Sequence, residues 1–147
     1  MRVWCLTTDP DNFRRTADLG WTMQGIKSRR ERTARELAVG DRIIYYLSKV
    51  QAFGAVVEVT SECFEDREPI WVSKPGEDYP WRVRISPEVT LEDEERWVPA
   101  EELYEELTFV KKWPREHWRL AFQGNIREWP EEDYRVVAKA LEQAASE

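Results

Sequence analysis

Residues 42–47 (Arg-Ile-Ile-Tyr-Tyr-Leu) and 53–60 (Phe-Gly-Ala-Val-Val-Glu-Val-Thr) are two short runs rich in Ile, Val and Tyr, with only Ser48-Lys49-Val50-Gln51 nearby as a polar link. β-Branched and aromatic side chains concentrated in this way suit a pleated surface, so the pair predicts an antiparallel hairpin. A lone hairpin is barely stable in water, and the rest of the chain must therefore widen the sheet and cover it. Residues 2–7 meet the first need: Val3 and Cys5 face one side, Trp4 and Leu6 the other, as in a strand buried on both faces. Residues 79–91 supply one or two more strands, with Pro87 marking a break or an edge.

Helix signals fall between and after these strands. Asp9-Pro10 reads as an N-cap followed by Pro at the first helical position, opening a helix through Phe13 and Ala17 that Gly20 closes. Ser28 and Glu31 fit a capping box, which predicts a second helix through Ala34, Leu37 and Ala38, stopped by Gly40. Pro99 begins an acidic helix with Leu103 and Leu107 on one face. After Trp113-Pro114 comes a short aromatic helix around Trp118 and Phe122, and Pro130 opens a last helix with Tyr134, Val137 and Leu141 inward. A small mixed sheet with helices between and after the strands is an α+β, barrel-like architecture. At 147 residues, 41% of them hydrophobic and eight of them Trp, the chain has material for one core and is expected to be one domain over residues 1–147.

Several chemistries lack their residues. The one histidine, His117, lies in Trp113-Pro114-Arg115-Glu116-His117-Trp118, a setting more often packing or surface than a triad base, and no catalysis is assigned to it. With only two cysteines, Cys5 and Cys63, far apart in sequence, no zinc-ligand spacing occurs either. No two of the six glycines are two apart and no G-K-[ST] occurs, which removes the dinucleotide and P-loop motifs. No cofactor and no metal are expected. No apolar run approaches the roughly 20 residues that span a bilayer, and the N-terminus lacks a signal peptide's apolar segment. A cytoplasmic protein with reduced thiols and no membrane partner is expected. Net charge is −7, but residues 92–106 hold eight acidic side chains against Arg96 alone. Residues 27–36 hold five basic against two acidic, so a positive patch can sit on an acidic protein.

Aromatic side chains also stand where turn residues take the chain out of regular structure. Trp21 follows Gly20, Trp71 follows Pro69-Ile70, and Tyr79-Pro80-Trp81 closes the loop that holds Lys74-Pro75-Gly76. Such rings either plug a core or form a cage that stacks a nucleobase. Thr8, Asp9 and Asn12, at the start of the first helix, are placed to read a base edge, although Asp9 is equally an ordinary N-cap. Lys27, Arg29 and Arg30 add the positive rim that a phosphodiester backbone requires. Together these features point to a non-catalytic base-binding module. The alternatives are a small-molecule or nucleotide-derivative protein or enzyme using the same pocket, and an acidic face at residues 92–106 that docks a basic partner.

The order of motifs resembles the EVE domain family, a branch of the PUA-like fold related to YTH readers. The matching segments are Trp4-Cys5-Leu6-Thr7 with Asp9-Pro10-Asp11-Asn12-Phe13, Gly20-Trp21, Val39-Gly40-Asp41 leading into residues 42–46, and residues 54–62. Then follow Pro69-Ile70-Trp71, Tyr79-Pro80-Trp81, residues 107–111, and the closing Phe122-Gln123-Gly124-Asn125-Ile126-Arg127-Glu128. The resemblance implies a PUA-like mixed β-barrel that holds a flipped or single-stranded base of DNA or RNA. Both a plain base and a modified one, such as methylated or hydroxymethylated cytosine, fall within what the resemblance implies. It further implies Trp21, Trp71 and Tyr79 as cage walls, Thr8, Asp9 and Asn12 as edge readers, and Arg127 as a phosphate contact beside Lys27, Arg29 and Arg30. On that basis Trp21→Ala is expected to remove base selectivity and spare the fold. Where relatives carry Asn before the Pro, this chain has Asp9, an acceptor only, which suits the exocyclic amine of cytosine or adenine.

Overall fold

A computed structural model describes residues 1–147. The strands are β1 (Val3–Thr8), β2 (Met23–Ile26), β3 (Arg42–Leu47), β4 (Ala52–Val59), β5 (Phe64–Glu65), β6 (Trp81–Thr90), β7 (Val98–Pro99) and β8 (Ile126–Trp129). The α-helices are α1 (Pro10–Asp18), the single turn α2 (Glu31–Ala34) and α3 (Glu131–Ala145). Five 3-10 segments, the longest being Ala100–Glu106 and Arg115–Phe122, fill the connections.

One mixed sheet runs in the order β2-β6-β4-β3-β1-β8, with β5 added to β6 and β7 to β4. Only β1 and β3 are parallel, in register from Val3 opposite Arg42 to Thr8 opposite Leu47. The sheet curls into a half-barrel. Two register shifts help it bend, one between Tyr45 and Tyr46 and one between Val56 and Val57. Pro87 sits opposite Val57 at the second shift, where a missing N–H is tolerated. β6 is thus one strand bent at Pro87.

β1 and β3 are apolar on both faces because both are covered. On one side Phe13 of α1 packs edge-to-face against Trp21, Tyr45 and Trp97, at ring-centroid distances of 5.1, 5.9 and 5.4 Å. A second aromatic cluster joins Tyr46 to Phe122 in a 3.7 Å stack, with Phe53 and Trp129 beside them. Helix α3 buries Val137, Ala138 and Leu141, and the wholly buried Asp133 carboxylate accepts the N–H groups of Thr108 and Phe109 at 2.7 and 2.8 Å. Burial raises the Asp133 pKa, and these two hydrogen bonds oppose the rise.

The capping box at Ser28 does not form. Tertiary bonds fix the backbone there instead: Lys27 N–H donates to Asn125 Oδ1, Ser28 N–H to the Asp78 carbonyl, and Trp81 Nε1 to the Ser28 carbonyl. The segment becomes a 3-10 turn followed by one α-helical turn, although Ala34 and Leu37 are buried as their spacing predicts. The acidic and aromatic helices are likewise 3-10 rather than α, while Leu103, Leu107, Trp118 and Phe122 point inward.

Candidate functional site

A cavity of about 290 Å³ opens where the carboxyl ends of the parallel strands β1 and β3 meet the start of α1 and the residues just before β8. Thr8, Asp9 and Asn12 line it from one side, Tyr79 from a second, and Lys27 and Arg29 from its rim. Phe122, Gly124 and Asn125 complete the wall.

Each polar group arrives by a local cause. Asp9 caps α1, its Oδ1 accepting Asn12 N–H at 2.8 Å. Thr7 N–H donates to the Asn125 carbonyl at 2.9 Å, which brings Asn125 beside the end of β1. The Asn125 Oδ1 is occupied by Lys27 N–H at 2.9 Å, so its NH2 group is the donor left over. The resulting wall offers an acceptor from Asp9 and a donor from Asn125.

The loop carrying Tyr79 is fastened twice. Asn12 Oδ1 accepts Val72 N–H at 2.9 Å while its Nδ2 donates to the Val72 carbonyl at 2.8 Å. Arg82, only 2% exposed, donates Nε to the Tyr79 carbonyl at 3.1 Å and a second nitrogen to the Glu68 carbonyl, and lies over the Trp71 ring. Burial is the main force raising the Tyr79 pKa, with the Asp9 and Glu77 charges adding to it, so the phenol stays a neutral donor and acceptor at ordinary pH. Lys27 Nζ pairs with Glu77 at 3.1 Å, and that hydrogen bond is the largest cause holding the Glu77 carboxyl below its ordinary range.

The expected three-walled cage is not assembled: of its rings only Tyr79 borders the cavity. Trp21 is 5% exposed and packs against Phe13 and Tyr45 in the core. It is reached through two successive left-handed residues, Gly20 at φ 72° and Trp21 itself at φ 57°. A turn residue read from sequence as a rim position is in fact the point where the chain folds its ring inward. Trp71 is equally buried because its indole N–H has an interior acceptor, Thr16 Oγ1 at 2.9 Å. Thr16 donates to Gln24 Oε1, which also accepts the Tyr45 hydroxyl at 2.8 Å. Trp71 and Tyr79 nevertheless touch, with ring centroids 6.2 Å apart, so Trp71 backs the wall without forming it.

Asn12 lines the cavity, but its amide is spent on Val72, and Arg15 also donates to its Oδ1 at 3.0 Å. It acts as a clasp rather than a free edge reader. Arg30 and Arg127 lie outside the cavity, in a neighbouring shallow cleft. Sequence reasoning missed Ser48, Ser73 and above all Asn125. The signal for Asn125 was its place in the closing Phe122-Gln123-Gly124-Asn125 motif. No group of three His, Cys, Asp or Glu side chains is placed to hold a metal ion, and no helix is long and apolar enough to cross a membrane.

Comparison with known proteins agrees with this architecture. The family model described as EVE domain matches residues 2–140. A UPF0310 protein of Pyrococcus abyssi is 30% identical over 151 residues, covering 96% of this chain and all of the relative. Among solved structures, the Mmi1 YTH domain in complex with RNA superposes with a TM-score of 0.70 at 11% identity, covering 99% of this chain and 80% of that one. The solution structure of Rpa0253 from Rhodopseudomonas palustris gives 0.58 at 18% identity, covering 97% and 94%. The YTH likeness is one of fold. The match over almost the whole length shows that the chain belongs to the EVE domain family.

Proposed function

We propose that the protein is a non-catalytic nucleic-acid-binding module that takes one unpaired or flipped base of DNA or RNA into the cavity beside Tyr79. The observation that carries this is the meeting, around one cavity of about 290 Å³, of the largely buried Tyr79, the polar side chains of Asp9 and Asn125, and the cations Lys27 and Arg29. The volume sits near the lower end of ligand pockets, which begin at roughly 300 Å³, and suits one base. Tyr79 is the stacking surface. The Asp9 carboxylate and the Asn125 amide offer the acceptor and donor that match an exocyclic amine beside a ring nitrogen, the edge shared by cytosine and adenine. Lys27 and Arg29 receive the adjoining phosphate. Trp21 and Trp71 serve from behind, holding the sheet and loop that present Tyr79. EVE membership and the fold shared with an RNA-bound YTH domain support this assignment. A methylated or hydroxymethylated base is accommodated as a variation: each extra buried carbon adds about 0.8 kcal/mol, a modest discrimination.

Fluorescence anisotropy with labelled single-stranded and duplex oligonucleotides, plain and cytosine- or adenine-modified, tests it. Wild type should bind with an affinity that falls as salt rises, by a log–log slope of about −0.7 per phosphate contacted. Tyr79→Ala should lose the roughly 1–3 kcal/mol of one stacked base, and Tyr79→Phe should lose little. A second reading, a free nucleoside or similar small molecule, is favoured by the one-base size of the cavity. It predicts nucleoside binding with almost no salt dependence and no oligonucleotide binding.

A further inference from the structure

Beyond the cavity, β8 and the Ser28–Arg30 turn border a second, shallow cleft of about 360 Å³ that contains Arg2, Arg30, Phe109 and Arg127. Its cations are not equivalent. Arg2 is neutralised by Glu36 and Glu128, at 3.1 and 2.8 Å. Arg127 lies over the Trp113 ring and donates to the Leu120 carbonyl at 3.3 Å, so it has no carboxylate partner. Arg30 makes no ion pair, hydrogen bond or ring contact through its side chain, and its Nε is buried without any acceptor. An arginine normally recovers the cost of such desolvation from a carboxylate or carbonyl. Here the side chain is half-buried and makes no hydrogen bond within the protein.

The position of Arg30 ties this cleft to the cavity. Gly124, part of the cavity wall, has φ 82°, and a Cβ built on it would fall 2.5 Å from an Arg30 terminal nitrogen. The tip of the Arg30 side chain therefore rests against Gly124, which on its other side lines the cavity. The left-handed backbone of this turn favours glycine, and the tip of Arg30 occupies the space that the missing side chain leaves open.

We infer that Arg30, with Arg127, forms a phosphodiester-binding subsite for the nucleotide next to the one held in the cavity, on the far side of Gly124. The inference rests on the base-binding role proposed above and deepens it. Lys27 and Arg29 hold the backbone at the cavity mouth, while Arg30 and Arg127 require that the ligand continue past it. The preferred ligand is then a polynucleotide strand rather than a nucleoside. A guanidinium fork fits two oxygens of one phosphate in a way that a lysine would not.

The test compares wild type, Arg30→Gln, Arg30→Lys and Arg127→Gln for binding of a single-stranded octanucleotide and of the matching free nucleoside, over a salt series. Arg30→Gln should weaken the octanucleotide about five- to tenfold at low salt and lower the salt slope by about 0.7, with nucleoside affinity unchanged. Arg30→Lys should restore the slope and part of the affinity. Arg127→Gln should also lower the slope, and it reads the cleft independently if Arg30→Gln fails to fold. Unchanged octanucleotide affinity in both glutamine variants would overturn the subsite. So would an equal loss of nucleoside and octanucleotide binding, which would make Arg30 a support for the cavity wall. Competition by inorganic phosphate beyond that of chloride at equal ionic strength would instead mark a free-anion site and overturn the polymer assignment. Failure of wild type to bind any octanucleotide would refute the base-binding role itself, and this subsite with it.

Discussion

The side-chain amide of Asn12 holds both polar groups of Val72, accepting its N–H at 2.9 Å and donating to its carbonyl at 2.8 Å. One residue of α1 thereby fixes the loop that delivers Tyr79 to the cavity. Asn12→Ala should leave Val72 without these partners. Val72 is exposed, so water replaces these bonds in part, and thermal denaturation should show a loss of about 1 kcal/mol for each hydrogen bond removed. Oligonucleotide affinity should fall with it, although Asn12 is proposed to make no base contact.

Gly25 is required by a close approach rather than by its backbone angle. A Cβ there would lie 2.5 Å from the Trp71 ring and 3.0 Å from Tyr79 Cβ. Gly25→Ala should overpack the loop at a cost of about 1–3 kcal/mol. Increased proteolytic cleavage within residues 66–80 would check this, and stability equal to wild type would show that the Trp71 packing is looser than the structure places it.

Trp21 tests whether selectivity and stability separate. Because the ring is buried among Phe13 and Tyr45, Trp21→Ala should destabilise by about 3–5 kcal/mol, contrary to the fold-sparing outcome its sequence position suggests. Chemical denaturation measures this directly. A variant with a wild-type midpoint would return Trp21 to the list of possible walls.

Glu77 partly neutralises Lys27 at the cavity mouth. Its folded pKa is lowered, so the pair is fully present above the ordinary carboxylate value of 4.5 and is lost only as pH falls through the lower folded value. Wild-type affinity should therefore gain nothing from Glu77 protonation between pH 8 and pH 5. Glu77→Gln should strengthen oligonucleotide binding at low salt, and the gain should disappear in high salt as screening shortens the reach of Lys27. A gain that persists at high salt would place the effect in packing instead.

Strand and helix signals in the sequence carried most of the architecture. The runs 42–47 and 53–60 form the hairpin, the second as Ala52–Val59, Asp9-Pro10 opens α1, and Pro87 marks the bend of β6. β2 was illegible because Met-Gln-Gly-Ile has neither alternation nor a β-branched run, and its buried Gln24 is satisfied by Thr16, Tyr45 and the Gly25 carbonyl. The candidate site was legible at Thr8 and Asp9, where the backbone makes it, and at Tyr79, Lys27 and Arg29, and illegible where an interior partner decides which way a side chain turns. Nothing local announces that Trp71 has an interior acceptor, or that Asn125 is held beside Thr7.

The N–H of Thr7 to the carbonyl of Asn125 joins the beginning of the chain to its final quarter, and β8 closes on β1 just beyond. During synthesis, β1, α1, β3 and β4 emerge early and can collapse on one another, since N-terminal segments leave the ribosome first. Until residues 122–129 arrive, however, the exposed edge of β1 has no neighbour and the cavity has no floor. The cavity beside Tyr79 is thus completed only when residues 122–129 dock, and a chain cut short before Gln123 would carry the basic rim with nothing behind it.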